Sequence, residues 1–345
     1  MKNIDIHQGN VKGLGAIKFS EALIKDILKS DGISIQNFYY HKLNFKFEYS
    51  KASKKSINIS YLLGTLSRIF EILFWRFYRE QNSDIFILGD LPVNTRSKQY
   101  VFCQQSLMFN KFPFFSKNFL KFGLFRIFFQ LFLKTDDVVL VQSSEMQNYI
   151  KSLIGEQVNV KILDLTSSSF GWPEFYRNER SKCQKQKNDI NLIYPAAFYP
   201  HKNHHLLSLI ENQDQVNVFT TVGEHEIDKN ESTSALGRLS RSQIFEFYRD
   251  IDGLIFLSSN ESLGMPILEA IKCNLPIVCP HAEYTKNFDG LNCIFFDLDE
   301  PESLKIALLE LRGKLLSGWW PSWNFNKLFK HPEFHPIENI LLDQD

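Results

Sequence analysis

What constrains this chain most is an alternation, repeated along most of its length. Short apolar runs bounded by turn residues alternate with stretches whose apolar residues recur at helical spacing. Ile4 to His7 and Ile33 to Tyr39 read as strands, and Phe19, Leu23, Ile24, Ile27 and Leu28 between them form one helical stripe. Two strands joined by such a crossover run parallel, because a hairpin cannot contain a helix. Asp84 to Gly89, Gln99 to Cys103 and Asp137 to Gln142 are further apolar runs, of the kind needed by a sheet covered on both faces, with helices around 61–79 and 117–134. The polar stretch Arg177 to Asn188 then reads as a linker or exposed loop. Beyond it, strands at Ile190 to Tyr194, Val216 to Val222, Gly253 to Leu257 and Pro276 to Cys279 alternate with helices starting at Asn203, Arg241, Pro266 and Pro301. The expectation is an α/β protein of two Rossmann-like, doubly wound domains, residues 1–165 and 166–320, followed by a Trp-rich tail, 321–345, of unassigned packing. Ligands of such sheets bind beyond the carboxyl ends of the strands.

A chain of 345 residues is long enough for two cores of ordinary size. Lys plus Arg and Asp plus Glu are both 39, so no net field draws the protein to nucleic acid, and no nucleic-acid role is expected. The five cysteines, odd in number and scattered, have neither the spacing of a zinc site nor the density of a disulfide scaffold. A reducing cytoplasm is the expected compartment, and Met1-Lys-Asn-Ile-Asp5 reads as a strand start rather than a secretory leader. Of 32 Phe, ten lie between Phe109 and Phe132. Lys111, Lys117, Lys121 and Arg126 break that segment short of the ~20 apolar residues that a bilayer-spanning helix needs. Two roles stay open for it: a face turned to the core, or a basic amphipathic helix lying on an anionic membrane surface. The second would make the protein peripheral on the inner face of the cell membrane.

The densest chemistry lies in Leu257-Ser-Ser-Asn-Glu-Ser-Leu-Gly-Met-Pro-Ile-Leu-Glu269, which continues through Cys273-Asn-Leu-Pro276 into the next strand. A buried strand ends at Leu257, the loop carries Glu261 to Gly264, and Pro266 falls in the first helical turn, where its missing N–H costs least. Backbone N–H groups at such a helix start form an anion site. Glu269 is expected in the first turn, within reach of ribose hydroxyls, and Glu261 in the loop, within reach of the sugar or its leaving oxygen. Two glutamates with seven residues between them in this strand-loop-helix frame closely resemble the signature of glycosyltransferase family four, the group 1 type of retaining enzymes with the two-lobed GT-B fold.

The resemblance extends to Tyr194-Pro-Ala-Ala-Phe-Tyr-Pro-His-Lys-Asn-His204. In the family this loop supplies an Arg and, five residues later, a Lys that neutralise the donor diphosphate. Lys202 holds the Lys position and Ala197 the Arg position, with His201 beside it as a substitute contact. The resemblance further implies donor contacts from Ser262, Leu263, Gly264 and Met265 of the acid loop and helix start. Gly237-Arg238-Leu239 would lie against base and ribose, and Gly13 and Gly15 would form an N-terminal glycine loop. Gln104 or Gln105 stands where the family often has a His on the acceptor side. Ser262-Leu263 replaces the family's Gly-Phe, and the tail after Leu316 lacks its usual returning helix.

What the resemblance implies is a pair of lobes facing across a cleft, an N-terminal one for the acceptor and a C-terminal one for the nucleotide sugar. The implied reaction moves a sugar from a nucleoside-diphosphate donor to a glycan or lipid-linked acceptor hydroxyl with retained configuration, in bacterial surface polysaccharide assembly. Lys202 and Glu261 would be catalytic and Glu269 donor-binding. No divalent metal or other cofactor is expected, since Asp250-Ile-Asp252 precedes a strand and Asp297-Leu-Asp299 precedes a helix. The missing Arg leaves an alternative, a catalytically silent subunit of the same fold that binds a partner enzyme.

Overall fold

The computed structural model of the chain describes residues 1–9, 11, 14–40, 55–58, 65–78, 82–104, 117–180, 188–211, 215–227, 231–286, 288, 292–329 and 334–343. Gly13, Gln105, the Phe-rich stretch up to 116 and residues 181–187 of the polar stretch lie outside these. In chain order the first elements are β1 (Lys2–Gln8), α1 (Leu14–Lys29), β2 (Ile33–Tyr40), β3 (Lys55–Asn58), α2 (Thr65–Tyr78), β4 (Asp84–Ile87), β5 (Gln99–Phe102), α3 (Lys117–Phe132), β6 (Val138–Val141), α4 (Ser144–Ile154) and β7 (Asn159–Leu163). Next come β8 (Ile190–Tyr194), 3-10 turns at Pro200–Lys202 and His204–Leu209, β9 (Val216–Thr220), β10 (Thr233–Ala235), α5 (Arg241–Asp250), β11 (Gly253–Ile255), α6 (Met265–Lys272), β12 (Ile277–Pro280), β13 (Cys293–Phe296), α7 (Ser303–Leu316) and α8 (Phe325–Phe329). The chain closes with β14 (Phe334–His335) and α9 (Ile337–Leu341).

Two sheets result, each with all its strands parallel. One runs β3-β2-β1-β4-β5-β6-β7-β14 and the other β10-β9-β8-β11-β12-β13. Counted within each unit, the second sheet follows the doubly wound order 3-2-1-4-5-6 and the first follows the same order extended by β7 and β14, the direction of winding reversing between β1 and β4 and again between β8 and β11. The fold class expected from the alternation is the one observed.

In the first unit the sheet is buried on both faces, as near-continuous apolar strands such as Val138–Val141 require. Ile72 and Trp75 of α2, Phe122, Phe128 and Phe129 of α3, and Met146 and Ile150 of α4 pack one face in a single cluster with Ile85, Ile87, Val101 and Val139. α1 carries the stripe Phe19, Leu23 and Ile27, with the Phe19 ring centroid 5.4 Å from that of Phe102. α4 starts where Ser143 accepts a 3.3 Å hydrogen bond from the Met146 N–H, a cap that contributes about 1 kcal/mol.

The division of the chain differs from the expected one. Contacts separate Met1–Gly171 together with Phe329–Asp345 from Trp172–Leu328, so the break falls after 171 rather than 165, and 321–345 is not one tail. Its first part belongs to the second unit, because Trp320 and Trp323 donate their indole N–H groups to the Asn274 and Leu275 carbonyls at 2.7 and 2.8 Å. Its last part belongs to the first unit, where β14 extends the sheet beside β7 and α9 packs against α1. A returning helix is therefore present, short enough that five residues left no periodic signal. The polar stretch is also no free linker at its start. Arg180, 4% exposed, donates from Nε to Asp252 at 2.7 Å, and Arg177 donates to the Tyr248 carbonyl at 3.2 Å.

Candidate functional site

β8 and β11 flank the reversal point of the second sheet, and their carboxyl ends lead directly into the two loops with the chemical motifs. Those loops are tied to one another. The Ser259 N–H donates to the His201 carbonyl at 2.8 Å, and the Asn203 amide to the Leu257 carbonyl at 2.9 Å. Asn203, in left-handed conformation at φ 50°, turns the chain between the two 3-10 turns, so the expected helix from Asn203 is the six-residue 3-10 turn His204–Leu209 instead. The Tyr194 hydroxyl donates to the Lys202 carbonyl from below. This framework brings the Lys202 ammonium and the Glu261 carboxylate into an ion pair, the two side chains 14% and 16% exposed, with Lys202 Nζ 5.4 Å from the centre of the Phe256 ring. An ammonium over an aromatic face and beside a carboxylate is a positive group held still at the mouth of a sheet.

The loop after Glu261 runs through half-buried Ser262 and Leu263 to Gly264, whose φ of +70° caps α6. A side chain at Gly264 would be strained by that backbone conformation, which explains the glycine. Within the first turn, the Ile267 and Leu268 N–H groups already donate to the Gly264 carbonyl at 2.8 and 3.3 Å, and Pro266 has none to give. The anion site expected at this helix start therefore narrows to the N–H groups of Gly264 and Met265, which have no partner among the described residues. Glu269 lies in the second turn of α6, not the first, since the helix begins at Met265. Only 6% exposed, it accepts hydrogen bonds from Arg241 Nε at 2.8 Å and the Tyr248 hydroxyl at 3.4 Å. Burial raises its pKa while Arg241 opposes that shift. Arg241 in turn lies 5.0 Å from the centre of the Phe245 ring. It opens α5 directly after Ser240, whose capping box with Gln243 stops the preceding loop.

Gly237 sits just before that cap at φ +68°, its N–H donating to the Val222 carbonyl at 3.0 Å, with exposed Arg238 and half-buried Leu239 following. His201 stacks on Tyr199, and burial, reinforced by the neighbouring Lys202 charge, lowers its pKa below the ordinary histidine value. Asp252 is fully buried and spent on Arg180 and the Asn191 N–H. Asp297 accepts from the Asp299 N–H at 2.9 Å in a local turn. Among the described residues no group of three or more His, Cys, Asp or Glu side chains is arranged to hold a metal ion. In the first unit Gln104 donates to the Leu88 carbonyl at 3.3 Å just past the end of β5. Gly15 lies in the first turn of α1 with no described atom within 4 Å of where a Cβ would stand.

Sequence reasoning from the motif missed Arg241, Tyr248 and Phe256. Their distances along the chain from Glu269 and Lys202 carry no periodic signal; only Ser240-Arg-Ser-Gln243, a capping box, marked that turn.

Residues 175–288 match the family of glycosyl transferases, group 1. The second unit carries a group 1 glycosyltransferase domain. Lys202, Glu261 and Glu269 all fall inside the matched stretch. No curated protein matches the chain in sequence. In fold the whole chain, not the group 1 domain alone, is similar to known enzymes. It superposes on WaaG, a glycosyltransferase involved in lipopolysaccharide biosynthesis, with TM-score 0.67 at 11% identity, covering 99% of this chain and 98% of that one. The lipopolysaccharide outer core galactosyltransferase WaaB gives TM-score 0.63 at 11% identity over 99% and 98% of the two chains. Anabaena Alr3699/HepE in complex with UDP and glucose gives 0.60 at 13% over 99% and 98%. At such identities the likeness is one of fold, and the fold is GT-B: two parallel α/β units, the second containing the group 1 domain.

Proposed function

We propose that the protein is a retaining glycosyltransferase that moves a sugar from a nucleoside-diphosphate donor to the hydroxyl of a glycan or lipid-linked acceptor. The place of this reaction is bacterial surface polysaccharide assembly, at the inner face of the cell membrane. The observation that carries the reading is the Lys202–Glu261 pair at the carboxyl ends of the two strands flanking the reversal point, next to the unpartnered N–H groups that open α6. A diphosphate arriving there meets one fixed ammonium and two N–H groups, which stabilise the charge that grows on the leaving group as the glycosidic bond breaks. The acceptor hydroxyl attacks from the face that the diphosphate leaves and gives its proton to the departing phosphate oxygen, so no enzymic nucleophile is needed and configuration is retained. Glu269, oriented by Arg241, takes hydrogen bonds from the ribose, and Glu261 turns from Lys202 toward the sugar once the diphosphate pairs with Lys202. That lipopolysaccharide enzymes share the fold, and that a relative of this fold holds UDP and glucose, support the donor and the process.

The reading is tested by incubating the protein with a panel of nucleotide sugars and following slow donor hydrolysis, with Lys202→Ala as control. Hydrolysis that Lys202→Ala abolishes is the expected result; none with any donor, under conditions where nucleoside diphosphates raise the melting temperature, would favour the silent subunit. Activity is further expected to persist in excess chelator, because Lys202 and the helix start already supply positive charge. Loss that magnesium or manganese restores would overturn metal independence.

A further inference from the structure

The Phe-rich segment turns most of its described aromatic residues inward. Phe122, Phe128 and Phe129 of α3 are buried, and the residues it exposes are Leu120, Ile127 and Leu131, at 60, 50 and 67%. An aromatic ridge on the outside belongs instead to α2. Phe70, Phe74 and Phe77, spaced four and three residues apart, are 52, 39 and 69% exposed, with neighbouring ring centroids 4.5 and 6.3 Å apart. Both helices bury their opposite sides in the same cluster on the same face of the first sheet, so both outward stripes point away from that face.

Charge on the two helices is one-sided. Glu71 is their single acidic residue, and it is turned in, accepting from Arg68 at 2.6 Å and lying 3.1 Å from His7. Arg76 and Lys121 lie along the ring faces of Phe77 and Phe122 at 5.4 and 4.8 Å, and Arg126 follows on α3. A molecule of zero net charge thus concentrates positive charge around an exposed apolar face. A second copy of this chain would bring the same positive charge against it, which disfavours self-association. None of the helices is long and apolar enough to cross a membrane among the described residues.

We propose that the outward stripes of these two helices, Phe70, Phe74 and Phe77 of α2 and Leu120, Ile127 and Leu131 of α3, together with the basic residues Arg76, Lys121 and Arg126 that the helices carry, dock the first unit on an anionic lipid surface. Rings and aliphatic side chains enter the boundary between headgroups and acyl chains, and the cations stay at the phosphates. The proposal deepens the reading of a lipid-linked acceptor and rests on it for its purpose, but its geometry is independent of the donor site.

The test is co-sedimentation with vesicles of phosphatidylcholine alone or mixed with phosphatidylglycerol, using the full chain. The wild type is expected to bind the mixed vesicles, to bind neutral ones less, and to be partly released by salt. Lys121→Glu/Arg126→Glu should weaken binding by more than about fivefold per charge removed, the factor for one basic residue at an anionic surface. Phe70→Ser/Phe74→Ser/Phe77→Ser should weaken it by about tenfold or more through lost apolar burial, with far-UV circular dichroism and donor hydrolysis in the absence of vesicles unchanged. Failure of the wild type to bind, equal binding to neutral vesicles, or wild-type binding by both variants would overturn the proposal. So would a solution dimer that the Phe variant disperses, which would make the face a protein interface. Vesicle binding without any donor hydrolysis would sink the enzymatic reading and leave this one standing.

Discussion

Lys202 is held on three sides: by Glu261, by the Phe256 ring, and through its own carbonyl by the Tyr194 hydroxyl. A group fixed before the reaction loses little freedom during it, so Lys202→Ala should lower turnover by roughly a hundredfold or more. Unfolding temperature should hardly move, and turnover at saturating donor is the measurement that decides. Glu269 differs because its partners are already satisfied. Glu269→Ala should weaken nucleoside-diphosphate binding, and Arg241→Ala should do the same at second hand by freeing the carboxylate. Inorganic pyrophosphate should bind all three proteins alike. Calorimetric titration with both ligands separates ribose recognition from a general loss of shape, since a merely structural defect would weaken both. Lys202, Glu261 and Glu269 were legible in the sequence because a motif of fixed spacing names them. Arg241 was not, because an arginine opening a helix looks misplaced against the helix dipole until the buried carboxylate it serves is seen.

The turns between β8 and β9 show how an element can hold a titratable group that no motif marks. His204 opens the second 3-10 turn, 5% exposed, with its ring 4.9 Å from Tyr194 and 5.4 Å from Phe198. Burial pushes its pKa down from 6.5 to about 4. The folded protein therefore binds fewer protons here than the unfolded one between those values. Stability is full above pH 6.5 and falls as pH drops toward 4, by ~1.4 kcal/mol per unit within that window. Chemical denaturation at pH 7 and pH 5 should show this loss, and His204→Phe should reduce it; an unchanged slope would remove His204 as its source. Long elements with full stripes, such as α1 and α7, were readable in advance. β3, β10 and β14 were not, since Lys55-Ser-Ile-Asn58, Thr233-Ser-Ala235 and Phe334-His335 carry no continuous apolar run, and β13 was missed although Cys293-Ile-Phe-Phe296 is one. The Phe-rich segment misled in a different way: composition located it but could not say which side of the helix the rings take.

At the scale of the molecule the doubly wound order of both sheets followed from the alternation, while the route of the chain did not. Nothing in Phe334 to Leu341 announces that it completes the first unit, because what marks it is contact with β7 and α1. Removing 329–345 should destabilise the first unit selectively. The variant is expected to show an early unfolding transition in a thermal scan and to keep nucleoside-diphosphate binding in the second unit; a single unshifted transition would mean that the return strand contributes nothing. The same route sets an order of events during synthesis. The ribosome releases the first seven strands of one unit, then all of the other, and only then the residues that cover the first unit's open edge at β7. Until then that edge offers unpaired N–H and C=O groups to any passing strand. The nascent chain is therefore at greatest risk of misassembly after its second unit has already formed, and a slowly translated or truncated product should aggregate through the first unit rather than the second.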